Sequence, residues 1–184
     1  MTPKMRPMNS EDKPCLMRIL RATPEFKPDE VNIAEEVLDT YLRNGTQSGY
    51  YVVVAELGNE VIGYVCYGPA PMTRGTWDVY WMAVAREKQG LRIGTALLAS
   101  AEDEIKLKQG RLAVIETSSK PDYQRARRFY ERRGYELLAR IPDFYEMGDD
   151  KMLFVKRLIA VEAGHPSVAS RHYSPLVFTT KPLH

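Results

Sequence analysis

Val84-Ala-Arg-Glu-Lys-Gln-Gly-Leu-Arg-Ile-Gly94 joins two runs of opposite character. Before it, Trp77 to Val84 is apolar and aromatic, as in a buried strand. After it, Ile93 to Lys108 places apolar residues at helical spacing. Beyond Gly110, Arg111 to Thr117 is strand-like again. Strand, basic glycine-bearing loop, helix, strand is a crossover unit with an anion site in its first turn.

Gly90 and Gly94 flank the helix entry, and glycine lets a backbone approach a ligand without a Cβ in the way. The first N–H groups of a helix have no internal partner, and its dipole favours negative charge there. Arg86, Lys88 and Arg92 add positive potential, so a pyrophosphate is the natural occupant. The same residues also fit a tight strand–helix turn with solvated charges. A P-loop is excluded, since no Gly-Lys followed by Ser or Thr occurs here. A Rossmann unit, and with it NAD, is favoured only by Glu116, which lies near the ribose-carboxylate spacing. Its third glycine is absent and the unit follows a run of strands.

The chain has 184 residues, enough for one domain with a real core, and a net charge of +2, too small to imply nucleic acid or an anionic membrane. Cys15 and Cys66 lie far apart without metal-ligand spacing and read as reduced, buried thiols of a cytoplasmic protein. No stretch is apolar for the ~20 residues that a membrane helix needs. The charged N-terminus lacks the apolar core of a secretory signal.

Lys4 to Met8 reads as a short strand. A helix follows, capped by Asn9 or Ser10, with Pro14 early in it. Thr23 to Pro28 is a loop. Asp29 or Glu30 opens a second helix that Asn44-Gly45 ends, with Ile33, Val37, Leu38, Tyr41 and Leu42 at helical spacing. Gly49 to Leu57, Glu60 to Tyr67 and Trp77 to Val84 are strands of a meander, the first two joined at Gly58-Asn59. In the crossover helix Leu97, Leu98, Ala101, Ile105 and Leu107 form the buried stripe, with Glu102, Asp103, Glu104, Lys106 and Lys108 on the wet side. Pro121-Asp122 starts a shorter helix that Gly134 stops. Tyr135 to Ile141 is a strand, Pro142 to Asp150 a loop, and Met152 to Leu158 its hairpin partner. From Ala163 the composition turns irregular.

Two segments resemble the GNAT acetyltransferases, the acetyl-CoA-dependent N-acetyltransferase superfamily. Gln89-Gly90-Leu91-Arg92-Ile93-Gly94 is similar to the family's Gln/Arg-x-x-Gly-x-Gly/Ala loop, with Arg92 in place of the central glycine. Tyr123-Gln-Arg-Ala126-Arg-Arg-Phe-Tyr130-Glu-Arg-Arg-Gly134-Tyr135 is similar to its Asn-x-x-Ala-x-x-x-Tyr segment closing on Gly-Phe/Tyr, with Tyr123 in place of Asn. Ile141 to Leu158 resembles the closing hairpin of bacterial members. The resemblance implies an α+β fold over residues 1–158. Its sheet is mixed, mostly antiparallel and twisted, of about seven strands, with helices on both faces and a splayed parallel pair at the cofactor site. Residues 159–184 are then an irregular C-terminal tail.

The implied chemistry is direct transfer of acetyl from acetyl-CoA to a primary amine of a small molecule or a protein, without a metal. The implied cofactor-binding residues are Met82, Ala83 and Val84 on the strand edge, then Gln89, Gly90, Leu91, Arg92, Ile93, Gly94 and Thr95, with Tyr123. Tyr130 matches the general acid for the leaving thiolate. Glu116 is the candidate base, its pKa raised by partial burial at the end of an apolar strand, with Asp78 and Tyr80 as competitors. Each has a plainer alternative: Tyr130 as a core tyrosine, Glu116 as an exposed strand-end carboxylate. Arg127 or Arg128 meets the ribose phosphate, or the arginine cluster is simply a solvated face. Asp143, Glu146, Asp149 and Asp150 make the last loop acidic, which suits a cationic acceptor. The second function class is a non-catalytic acyl-CoA-binding sensor or interaction module, kept open by Arg92 and Tyr123. A homodimer is the expected assembly, with neither nucleic acid nor membrane as partner.

Overall fold

The computed structural model describes residues 2–159. The expected tail, Ile159 apart, lies outside the described residues. The elements run β1 (Lys4–Pro7), α1 (Lys13–Arg21), α2 (Pro28–Asn44), β2 (Tyr51–Leu57), β3 (Glu60–Pro69), β4 (Thr76–Val84), α3 (Ile93–Leu107), β5 (Leu112–Ser118), α4 (Gln124–Arg132), β6 (Glu136–Glu146) and β7 (Asp149–Arg157). Seven strands form one sheet in the order β1-β2-β3-β4-β5-β7-β6. Every neighbouring pair is antiparallel except β4 with β5.

Local chemistry accounts for most boundaries. A short 3-10 turn, Ser10–Asp12, precedes α1, and Asn9 and Asp12 cap it reciprocally: Asn9 Oδ1 accepts from Glu11 N at 2.9 Å and Asn9 N donates to Asp12 Oδ2 at 2.8 Å. α2 starts at Pro28, a residue earlier than expected, because proline suits the first helical turn, and Glu30 reaches back to Lys27 N at 2.8 Å. Gly58 turns the β2–β3 hairpin at φ 66°.

The sheet separates two cores. α1 and α2 cover one face, burying Leu16, Leu20, Leu38 and Tyr41 over Val52, Val54, Tyr64 and Cys66. α3 covers the other, burying Leu97, Leu98, Ala101 and Ile105 over Ile62, Tyr67, Trp77 and Phe154, each such large apolar side chain contributing roughly 2 kcal/mol.

Three expectations are corrected. Leu107 is 85% exposed rather than part of the stripe, because it ends the helix beyond the sheet. Glu102 is buried, not on the wet side, because Lys156 of β7 meets it at 2.7 Å. The loop expected from Pro142 to Asp150 is strand down to a turn at Met147 and Gly148: β6 continues to Glu146 and β7 begins at Asp149, with a register shift between Ile141 and Glu146 absorbing Pro142 and Asp143. β6 is an edge strand, where proline costs no ladder bond.

Candidate active site

β4 and β5 pair only at Thr76 with Leu112, Trp77 with Ala113 and Asp78 with Val114. Both strands continue, β4 to Val84 and β5 to Ser118, and a gap opens between them. Its cause is a bulge. Trp81 pairs with Cys66 but Val79 with Tyr67, so Tyr80 is an extra residue that bends β4. Ala85 N donates to Ile62 O at 2.8 Å. Ladder groups alternate, so Ala83 also points to β3, while Met82 and Val84 turn their N–H and C=O toward the gap. Of the three expected strand-edge residues, Ala83 is thus held in the ladder, with its side chain buried.

The loop after β4 leaves its donors open. Among the described residues no backbone N–H from Gly90 to Thr95 has an acceptor; the first that does is Ala96, to Arg92 O at 3.1 Å. Gly90 has φ 84° and Arg92 φ 61°. The position where the related loop carries glycine therefore has a left-handed backbone here, and arginine adopts it. Ile93 is buried and pins the helix start, while Leu91 is exposed. A Cβ on Gly94 would lie 3.7 Å from Phe129 and 3.9 Å from Met82, ordinary contact distances. Gln89 ties the loop together: its Nε2 donates to Val84 O at 3.3 Å and its Oε1 accepts from Arg125 Nη1 at 2.8 Å. Lys88 pairs with Glu60 at 3.5 Å, whereas Arg86 and Arg92 make no ion pair among the described residues. Open N–H groups at a helix start, flanked by free guanidinium groups, fit the diphosphate of a coenzyme A.

α4 lies against this helix start through Phe129. The Tyr130 ring packs on Phe129 at 5.6 Å, Phe154 at 6.1 Å and Tyr135 at 6.2 Å between ring centres. Its hydroxyl forms no hydrogen bond among the described residues, and burial pushes its pKa up to about 12. The phenol keeps its proton at neutral pH, as a proton donor must. Tyr123 Oη donates to Glu25 O at 2.5 Å, so this side chain braces α4 to the loop between α1 and α2. Arg127 does not reach for a phosphate: its Nη1 donates to Ser118 O at 2.7 Å and Lys120 O at 2.8 Å, closing the end of β5. Arg128 remains exposed.

The opposite face of the gap carries the carboxylates. Glu116 is exposed rather than partly buried, because alternation along β5 turns it away from the α3 side that buries Ala113 and Ile115; there it meets Lys151 Nζ at 2.6 Å. Lys151 Nζ also lies 3.9 Å from the centre of the Phe144 ring. Asp78 is half-buried and has no hydrogen bond or ion pair among the described residues. Burial and the Glu116 charge raise its pKa, against the opposing charge of Lys151. Tyr80 stands beside it, pushed up to about 12 mainly by burial. The acidic stretch expected to attract a cation is mostly satisfied internally. Asp149 accepts from Ser118 Oγ at 2.5 Å, Asp150 pairs with Arg140, and Glu146 pairs with Lys120 and with Lys27.

Sequence reasoning missed Lys151 because that residue fell between the expected loop, which ended at Asp150, and the expected strand, which began at Met152. Alternation carried back from Leu153 and Val155 would have placed it on the face of Glu116. It also missed the link from Arg125 to Gln89, for which no sequence signal exists. No group of His, Cys, Asp and Glu that could hold a metal ion occurs among the described residues.

Residues 15–135 match the Acetyltransferase (GNAT) family. An uncharacterized N-acetyltransferase of Methanocaldococcus jannaschii is 35% identical over 105 residues, 56% of this chain and 64% of that protein, so the match spans just under two thirds of the relative. A solved GNAT-family protein of Desulfovibrio desulfuricans superposes with a TM-score of 0.83 at 38% identity, over 85% of this chain and 99% of its own. An aminoglycoside 6'-N-acetyltransferase complexed with coenzyme A shares the fold at a TM-score of 0.69 and 18% identity, over 86% and 98%. With the family matched across most of the described residues, and the broken β4–β5 ladder and open helix start in place, the chain belongs to the GNAT acetyltransferase family.

Proposed function

We propose that this chain moves an acetyl group from acetyl-CoA to a primary amine by direct attack in a ternary complex. The observation that carries the reading is the gap between β4 and β5, with the open N–H groups of Met82 and Val84 along it and those of Gly90 to Thr95 at its end. The diphosphate lies on the Gly90–Thr95 loop near Arg86 and Arg92. The pantetheine arm lies against β4 and brings the thioester into the gap. There an N–H of β4 polarises the acetyl oxygen.

Tyr130 approaches from the α3–α4 side and protonates the leaving sulfur. The amine enters from the α1–α2 side, past the loop that Tyr123 braces. Glu116 receives its proton once Lys151 moves aside, and Asp78 beside it favours a cationic approach. No metal is assigned a part. A cytoplasmic setting, where acetyl-CoA is available, suits the free thiols Cys15 and Cys66. No helix among the described residues is long and apolar enough to cross a membrane. The outer edge of β6, unpaired among the described residues and with Leu137, Leu138 and Ile141 exposed, is where the homodimer would form.

The acyl-CoA sensor reading rested on Arg92 and Tyr123. Arg92 keeps the loop conformation that a glycine would take, and Tyr123 serves the acceptor-side loop, so neither departure argues against turnover. The test is a thermal-shift comparison of acetyl-CoA, coenzyme A and NAD, followed by thiol release with an added amine. Acetyl-CoA at a hundredfold excess over its Kd should add about 2.7 kcal/mol of stability. Binding with no release across a panel of amines and peptides would favour the sensor, and a shift with NAD alone would overturn the reading.

A further inference from the structure

Lys151 stands where an acceptor amine would stand. Its ammonium is 2.6 Å from the proposed proton acceptor Glu116 and 3.9 Å from the centre of the Phe144 ring. A carboxylate and an aromatic face are the two groups by which a protein recognises a primary ammonium. Lys151 belongs to β7, and its backbone pairs with Ser118 at the end of β5. Its side chain therefore extends back along β5 toward the gap. That side chain is 14% exposed. Other lysines are placed differently. Lys106 and Lys108 pair with acids on the outer side of α3, and Lys156 is held by Glu102 on the far side of the sheet.

We propose that Lys151 is the protein's own first acceptor, a self-acetylation site within the active site. The proposal rests on the transferase reading given above. Glu116 takes one proton from the Lys151 ammonium. The freed nitrogen attacks the acetyl carbon of acetyl-CoA in the gap, forming the C–N bond. The C–S bond breaks and the thiolate takes the Tyr130 proton. The second proton leaving nitrogen restores Tyr130, and the proton on Glu116 passes to solvent. The products are an amide on Lys151 and free coenzyme A. The amide carries no charge, so Glu116 loses its internal partner and is left open to an external amine. Self-acetylation thereby switches the acceptor site from occupied to available.

The full-length chain is incubated with isotopically labelled acetyl-CoA and no added acceptor, followed by intact mass and peptide mapping, with coenzyme A release from added amines measured in parallel. The expected result is one acetyl group at Lys151, at a first-order rate independent of protein concentration and at least tenfold above that at Lys106 and Lys156. Tyr130→Phe should slow it, and Lys151→Arg, which keeps the ion pair, should remove it. Labelling of Lys151 no faster than of the other lysines, or equally fast in the denatured chain, overturns the proposal. If amines are turned over while Lys151 stays unlabelled, the self-acetylation fails and the transferase reading stands. If neither occurs, both fail.

Discussion

Replacing Arg92 by glycine separates two roles that one residue combines. Arg92 holds φ 61° and ψ 15° at the N-cap of α3. A left-handed conformation costs an L-residue roughly 1–2 kcal/mol, which glycine avoids. Glycine adds freedom to the unfolded chain worth about 0.4–1 kcal/mol in the other direction. The arginine side chain is exposed and makes no ion pair or hydrogen bond among the described residues, so nothing else is lost. Arg92→Gly should therefore stabilise the protein by between about 0 and about 1.6 kcal/mol. Gly90→Ala is the counterpart. It sits at φ 84° in open space, so only backbone strain acts, and about 1 kcal/mol of destabilisation is expected.

Binding should respond in the opposite sense to stability. Loss of one free guanidinium at a diphosphate site weakens acetyl-CoA binding by ~0.6–1.4 kcal/mol, roughly three- to tenfold, at low salt. The difference should shrink as ionic strength rises, because an exposed pair is screened. Urea unfolding gives the first quantity and titration calorimetry at two salt concentrations the second. A loss of stability beyond ~2 kcal/mol in Arg92→Gly would mean that strain is not what the residue carries. Unchanged affinity at low salt would remove the diphosphate from this loop.

Three further outcomes test the remaining parts of the site. Tyr130→Phe keeps the ring packing on Phe129, Tyr135 and Phe154, so stability and coenzyme A affinity should hold while kcat falls by roughly 10²–10⁴; an unchanged kcat removes the general acid. Asp78 is an acid whose folded pKa is raised. It imposes no penalty below the unfolded value of 3.8, and a growing one as pH rises through the folded value. Asp78→Asn should therefore stabilise the protein near neutral pH and not near pH 3, as read from denaturation at both; equal effects at the two would show that ionisation is not the cause. Tyr123→Phe removes the bond to Glu25 O, and KM for the amine should rise while the acetyl-CoA Kd stays unchanged. A change in the Kd alone would put Tyr123 on the cofactor instead.

The parts legible in the sequence were those whose backbone demands a particular residue. Gly90 and Gly134, both at positive φ, punctuate elements where they were expected, and the heptad-like spacing of Leu97, Leu98 and Ile105 located α3. Long-range polar partners were not legible. Glu102 looked like a surface acid because Lys156 is 54 residues away. Pro142, Asp143, Gly148 and the neighbouring acids have turn composition. Yet Arg140 pairs with Asp150 and the Ser118 hydroxyl donates to Asp149, contacts met only in the folded sheet, and the strands continue. Glu116 was placed correctly at the end of β5, but its environment is set by β7, whose first residues had been given to a loop.

The Tyr80 bulge links these observations. Before it, Trp77 and Val79 face α3; after it, Met82 and Val84 do, while both Tyr80 and Trp81 pack toward α1 and α2. One inserted residue thus reverses the alternation as well as bending the strand away from β5. The reversal puts the Met82 side chain beside Gly94, at the helix start proposed for the diphosphate. Ahead of it, Asp78 faces the acceptor side. Tyr130 and Glu116 belong to opposite faces of the same sheet, and a continuous ladder would separate them by a layer of backbone. Only where β4 leaves β5 can one thioester be reached by a proton donor from one face and an amine from the other. The break in hydrogen bonding that would weaken an ordinary sheet is, in this reading, what makes the two faces a single site.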